Sequence, residues 1–343
     1  MTVRVAVVGA GAIGRSQAMA LAAYEFSELV SVCDIDEGKA KTLAADVGCA
    51  YTTTLAELER LDIDAAVVST PDFAHLEPAL AMVNAGRHVL VEKPLATILE
   101  DAEALVAAAG RAGVKTMVDF QLRWHPAFME LKRQLLEDRL GEPYMAYARA
   151  SNTIALPEKI LPWSRQSGPE WFLMSHLVDL FSWYLEARPT SVYAAARSGI
   201  LKAKGIDCYD AVQAQIRFPS TTVTLESSWI VPESWPSVVD SYLSIYGTKG
   251  KAEIDDDFRG FILAAENLEY PWSLAGQRNI HGRLDHFMYE PVRTFIDHIV
   301  QDTSPEPNFE AGLDVTRTVD AIRRSIESGE VIPLSNDPDA TSS

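Results

Sequence analysis

The chain has 343 residues, 48% of them hydrophobic, with ordinary amounts of glycine and proline, which suits two folded domains with large cores. Its 30 Lys and Arg against 48 Asp and Glu give a net charge of −18, a surface that repels phosphate polymers and anionic membranes and so argues against nucleic-acid and membrane partners. Cys33, Cys49 and Cys208 are an odd number without C-x-x-C spacing, which points away from a disulfide framework or a metal cluster and toward a reducing cytoplasm.

The opening MTVRVAVVG enters a strand directly, without the regions of a secretion signal, and no apolar run reaches the about 18 residues of a membrane span. From Val3 to Phe120 the segments VRVAVV, LVSVCD, AAVVST, HVLVEK and KTMVDF alternate with amphipathic stretches. That rhythm predicts an α/β domain over 1–122 with a doubly wound parallel sheet. After the first strand, VAVVGAGAIGR sets Gly9, Gly11 and Gly14 in G-x-G-x-x-G spacing. Gly9 permits a tight turn, Gly11 lets the backbone approach a pyrophosphate, and Gly14 lets helix and strand pack closely, while the helix N-terminus offers N–H groups to the anion. About twenty residues further on, the second strand ends at Asp34, where a carboxylate accepts hydrogen bonds from an adenosine ribose diol. With Ile35, Asp36 and Glu37 following and no arginine adjacent, the position favours NAD over NADP.

Glu92 and Lys93 stand at the carboxyl end of the strand HVLVEK, the edge where open α/β sheets bind ligands. Taken in order, the glycine turn, STPDFAH from Ser69 to His75 and EKP from Glu92 to Pro94 resemble the Gfo/Idh/MocA oxidoreductase family. The resemblance is close over the N-terminal half and looser beyond it. It implies a Rossmann domain, a C-terminal domain with an open, mostly antiparallel sheet, and hydride transfer between NAD and a hydroxyl or carbonyl of a sugar, polyol or cyclitol. The cofactor set is then Gly9, Gly11, Ala12, Ile13, Gly14, Asp34, Ile35, Ser69, Thr70, Pro71, His75, Glu92, Lys93 and Gln121. The family's EKP lysine touches both substrate hydroxyl and cofactor, which makes Lys93 catalytic. An NAD-dependent glycosidase, or a regulator that binds dinucleotide or sugar without catalysis, is compatible with the same resemblance.

Beyond about Trp124 the pattern changes, and residues 123–334 are expected to form an α+β substrate-binding and oligomerisation domain. GPEWFLMSHLVDLFSWYLEARP, Gly168 to Pro189, predicts a helix of about five turns, with Pro169 at its first position. Helical spacing aligns Phe172, His176, Asp179 and Trp183 in one stripe beside an apolar one of Leu173, Leu177, Leu180 and Tyr184. The mixed stripe is either core with a satisfied polar pair or a pocket wall, and the motifs upstream favour the wall. The family carries D-x-x-x-H on such a helix, and its histidine matches His176 as acid/base. Phe172 stands in place of the aspartate, which leaves open whether Asp179 replaces it as a catalytic group. YDAVQAQIRF, TTVTLESSW and SYLSIYG alternate apolar and polar residues and predict antiparallel strands of a one-sided sheet. Its mixed face suits a homodimer or homotetramer. Arg123, Trp124, Asn152, Trp163, Phe172, His176, Glu226 and His281, with Lys93, are the candidate substrate contacts; Trp171, Trp229 and Ser228 lie near them, and Arg149 and Arg165 would matter for an anionic substrate. A neutral sugar or cyclitol is preferred. Pro291–Val300 and Gly312–Ile326 read as helices, and residues 335–343 as a loose tail.

Overall fold

Six short strands build a parallel sheet: β1 (Val3–Val8), β2 (Ser27–Cys33), β3 (Ala50–Thr52), β4 (Ala65–Val68), β5 (His88–Glu92) and β6 (Thr116–Asp119), in the order β3-β2-β1-β4-β5-β6. The computed structural model describes residues 1–255 and 286–334, with the backbone alone of 260–264, 268–273, 278–280 and 283–285. Helices α1 (Ala12–Ala22), α2 (Glu37–Val47), α3 (Leu55–Leu58), α4 (Leu76–Asn84) and α5 (Leu99–Ala112) make the crossovers. β4 and β6 are buried at every position, as strands covered on both faces must be, which is why they read as apolar runs. The strand order reverses direction between β1 and β4, and such a switch point opens a crevice at the carboxyl ends of the strands.

The chain then forms α6 (Pro126–Leu136), β7 (Pro143–Asn152), α7 (Ser175–Leu185), β8 (Ser191–Arg197), β9 (Ala211–Arg217), β10 (Thr222–Ser228), β11 (Val239–Gly247) and β12 (Lys251–Asp255). These strands lie in the order β12-β11-β7-β10-β9-β8, with the short strand Ile332–Pro333 beside β8. Every pairing is antiparallel except β7 with β10. Period-two alternation gives the sheet two unlike faces. Ala146, Ala148, Val212, Ala214, Val223, Leu225, Leu243 and Ile245 are buried on one, while Tyr147, Arg149, Tyr193, Gln213, Gln215, Tyr242 and Tyr246 occupy the other. α6 and α7 are tied by the Tyr184 hydroxyl, which donates to the Phe128 carbonyl at 3.2 Å.

The last helices are α8 (Glu290–Val300) and α9 (Phe309–Ser328). Two units result: Met1–Trp124 with Gln277–Thr316, and His125–Gly276 with Arg317–Ser343. The expected second domain of 123–334 therefore gives residues 277–316 to the first unit. The cause is the apolar stripe of α8, whose Val292, Phe295, Ile296 and Ile299 join Val3, Val5, Ala18 and Leu21 in one core. A second difference concerns the helix expected from Gly168. Residues Glu170–Met174 form a wide π-helical turn, and regular α-helix begins only at Ser175. Among the described residues no helix is long and apolar enough to cross a membrane.

Candidate functional site

At the end of β1 the backbone of Gly9 takes φ 104°, a region open to glycine. A Cβ on Gly14 would fall 1.9 Å from the Gly9 carbonyl oxygen, so α1 can leave the sheet this closely only without a side chain there. Gly11 differs. It caps α1 in extended conformation, and a Cβ built on it meets no described atom within 4 Å. The chain is thus open beside Gly11, at the first turn of α1, where Ala12, Ile13 and Gly14 carry N–H groups without intrahelical partners. Asp34 closes the other side: its Oδ2 accepts from Ala10 N–H at 2.7 Å and its Oδ1 from Asp36 N–H at 2.8 Å. These bonds hold the carboxylate against the glycine turn and leave lone pairs for a diol. Ile35 beside it is exposed, and Asp36 caps α2 by accepting from Lys39 N–H at 3.1 Å.

The loop after β4 and the turn after β5 are pinned together by His75, whose Nδ1 lies 2.8 Å from the Pro94 carbonyl and whose Nε2 lies 3.0 Å from that of Thr70. Burial pushes the His75 pKa down to about 4, against the pull of those carbonyls and with the help of the Lys93 charge. The Thr70 hydroxyl donates to the Ala74 carbonyl at 2.9 Å, closing the turn that carries Pro71. Lys93 is only 8% exposed. Burial lowers its pKa, while Glu92, Asp72 and Asp119 act to raise it. Beneath it runs a polar chain: Ser69 Oγ donates to Gln17 Oε1, and Gln17 Nε2 donates to Glu92 Oε1 at 2.7 Å and Asp119 Oδ2 at 2.8 Å. Gln121, Arg123 and Trp124 belong to the short turn after β6, all partly buried, with the Trp124 indole donating to Thr294 Oγ1 at 3.1 Å.

In the second unit, His176 is the second residue of α7 and is 8% exposed, with Asp179 buried one turn on. Phe172 lies within the π turn, four residues before His176. Its ring packs between Trp163, at 6.0 Å between centroids, and Trp229, at 5.8 Å. Trp171 is buried, and its carbonyl accepts from Ser175 Oγ at 2.7 Å. Alternation along β7 puts Asn152 on the inner face, where its amide donates to the Val238 carbonyl at 3.2 Å. Glu226 falls on the outer face, accepting from Tyr147 and Gln213 at 3.4 and 3.3 Å. The structure therefore separates Glu226 from Phe172 and Trp229, because one step in a strand changes the face. Arg149 is also on that outer face, donating to Asp240 from Nε at 2.9 Å and Nη2 at 2.6 Å. His281 lies outside the described residues.

Three polar residues of the first site escaped sequence reasoning: Gln17, Asp72 and Asp119, all buried. Asp119 had a signal, since KTMVDF ends in a carboxylate on the strand beside HVLVEK. Gln17 had none, because a glutamine in an amphipathic helix ordinarily faces water.

Residues 3–120 match the Gfo/Idh/MocA family model described as an oxidoreductase family with an NAD-binding Rossmann fold, and residues 128–253 match the model of that family's C-terminal domain. The inositol 2-dehydrogenase of Rhizobium meliloti is 29% identical over 251 residues, 73% of this chain and 74% of its own. The myo-inositol dehydrogenase Hyg17 of Streptomyces leeuwenhoekii is 32% identical over 253 residues, 73% of this chain and 75% of its own. Among solved structures, scyllo-inositol dehydrogenase from Lactobacillus casei with bound NAD(H) and scyllo-inositol superposes with a TM-score of 0.84 at 18% identity, covering 97% of this chain and 99% of its own.

Proposed function

The chain belongs to the Gfo/Idh/MocA family of NAD-binding oxidoreductases, and from that premise we propose that it is a dehydrogenase acting on a hydroxyl-bearing carbon of a cyclitol or sugar. One observation carries the reading: the bare Gly11, the fixed Asp34 carboxylate and the buried Lys93 all stand at the carboxyl edge of one parallel sheet. The residues fit NAD, which when bound supplies the hydride acceptor. The α1 N-terminus and Gly11 would take the pyrophosphate and Asp34 the ribose diol. A 2′-phosphate would meet the charges of Asp34, Asp36 and Glu37 instead, so NAD is the preferred form. Lys93 is proposed to donate to the substrate oxygen, and His176 to take the hydroxyl proton, since imidazole exchanges protons near neutrality. With Phe172 where a carboxylate would assist that histidine, Lys93 shares the proton work. The aromatic group of Trp163, Phe172 and Trp229 suits the C–H face of a ring substrate. Cyclitols are favoured because the relatives are named for inositols. The free state of Cys33, Cys49 and Cys208 suits a cytoplasmic site.

Incubation of the purified chain with NAD or NADP and a panel of inositols, polyols, aldoses and aldonates, followed by nicotinamide absorbance, tests the proposal. Reduction of NAD by at least one cyclitol or sugar is expected. Silence across the panel, with NAD binding intact, would reject the enzymatic reading.

A further inference from the structure

The edge of the first sheet holds more charge than hydride transfer calls for. Asp119 ends β6 directly opposite Glu92, which ends β5, and the two are 1% and 6% exposed. Gln17, oriented by Ser69, gives a hydrogen bond to each carboxyl. The second oxygen of Glu92 accepts from Lys93 N–H at 3.2 Å, so both Glu92 oxygens have donors. Asp119 is different: its Oδ1 is buried, and no N–H or hydroxyl among the described residues reaches it. A buried carboxylate oxygen without a donor is unstable, whereas a carboxylic acid at the same place is itself a donor. Its hydrogen-bond partner is the Glu92 side chain.

We propose that Asp119 is a positioning residue for Lys93: it remains a neutral acid near neutral pH, donates its proton to Glu92, and leaves one buried negative charge behind the lysine. Two carboxyls this close and this dry do not both ionise. Burial is the main cause that raises both pKa values, and the Glu92 charge raises that of Asp119 further. Among the described residues, the charged groups acting on Lys93 include Glu92, Asp72 and Asp119, with neutral His75 beside it. Were both Glu92 and Asp119 ionised, Lys93 would be held as a permanent ammonium; with one, its proton stays exchangeable. The inference rests on the proposed role of Lys93 in the reaction.

The test joins a spectrum to a pH profile. In the infrared spectrum near neutral pH, Asp119→Asn, an isostere of the acid, loses a carboxylic-acid carbonyl band that the wild type shows. In the pH profile of kcat, the limb belonging to Lys93 stays within about 0.3 units in Asp119→Asn but falls by about one unit in the double variant Glu92→Gln/Asp119→Asn, which leaves neither carboxyl to carry the charge that raises the lysine pKa. Asp119→Asn also retains a kcat at least about tenfold above that of Asp119→Ala, which supplies no donor to Glu92. An unchanged acid band, or a limb that shifts in Asp119→Asn as far as in the double variant, would show Asp119 to be ionised and overturn the proposal. A lost band with no limb displaced in the double variant would leave the shared proton in place and reject the role of Lys93 instead.

Discussion

Alanine at Gly11 and alanine at Gly14 should fail in opposite ways. Gly11 has φ −74° and ψ −171°, open to any residue, and its added methyl meets no described atom within 4 Å. Alanine caps a helix less well than glycine, by about 0.5 kcal/mol, and it restricts the unfolded chain by a similar amount, so the two effects offset. Gly11→Ala is therefore expected to unfold within about 0.5 kcal/mol of wild type, yet to bind NAD at least about tenfold more weakly, about 1.4 kcal/mol, because the methyl takes the space where the pyrophosphate meets the backbone. At Gly14 the same methyl lies 1.9 Å from the Gly9 oxygen and 2.9 Å from its carbon. Both are backbone atoms of the tight turn, so α1 must shift, an overpacking that costs about 1–3 kcal/mol. Urea unfolding and NAD calorimetry on both variants separate the two effects. Wild-type NAD affinity in Gly11→Ala would refute the placement of the pyrophosphate, and an unaltered urea midpoint in Gly14→Ala would refute the packing argument.

NAD should bind at least about tenfold more tightly than NADP, about 1.4 kcal/mol, with Asp34→Ser and Ile35→Arg together narrowing the gap; equal affinities in calorimetry would reject the role of Asp34. Lys93→Ala is expected to keep NAD binding while turnover falls by about two powers of ten or more, and His176→Ala to lower turnover as severely in protein that remains folded. If His176→Ala instead melts the protein and the folded remainder works normally, the histidine is a core residue. Light scattering should give a dimer or tetramer rather than a 37.7 kDa monomer, through the outer sheet face where Tyr147, Arg149, Tyr193, Tyr242 and Tyr246 present an interface-like composition. His75, whose folded pKa is depressed to about 4, should contribute stability that is full above its unfolded value of about 6.5 and disappears as pH falls through about 4. Urea titrations of wild type against His75→Gln should show a difference of about 3 kcal/mol over that window, and parallel curves would contradict it.

What could be read from the sequence was what repeats or punctuates. Gly9, Gly11, Gly14 and Asp34 announce themselves because the turn and the strand end demand those residue types at those spacings. The alternation of Val212, Ala214 and Ile216 with Gln213, Gln215 and Arg217 gives the one-sided sheet directly. Periodicity gave one regular helix from Gly168, because helical spacing assumes 3.6 residues per turn throughout. The π turn over Glu170–Met174 adds a residue that no pattern of apolar positions signals. The return of α8 to the first unit was illegible for a different reason: an apolar stripe shows that a helix buries one face, not which sheet receives it. Glu226 and Trp229 are near neighbours in sequence, yet the alternation of β10 puts Glu226 on the face away from the aromatic cluster.

The chemistry of the first site can be located by comparing two sets of charges. Arg149 and Asp240 are paired on the outer face of the second sheet, with side chains 30% and 13% exposed, so that pair keeps part of its hydration. Glu92, Lys93 and Asp119 are nearly dry, and removing such groups from water costs several kcal/mol per ion before any pairing is counted. Apolar residues at the ends of β5 and β6 would continue the runs of Val89 to Val91 and Met117 to Val118 and remove that cost. Gln17 and Ser69 are hydrogen-bonded toward these carboxyls, so the polar chain is built rather than tolerated. Buried groups whose pKa values are displaced from both sides, lysine downward and carboxyls upward, are what proton chemistry near neutrality requires. Among the described residues, the carboxyl edge of the parallel sheet gathers Glu92, Lys93 and Asp119 out of water beside the glycine turn, and the desolvation and counter-charge there are what the proposed role of Lys93 toward a hydroxyl proton requires.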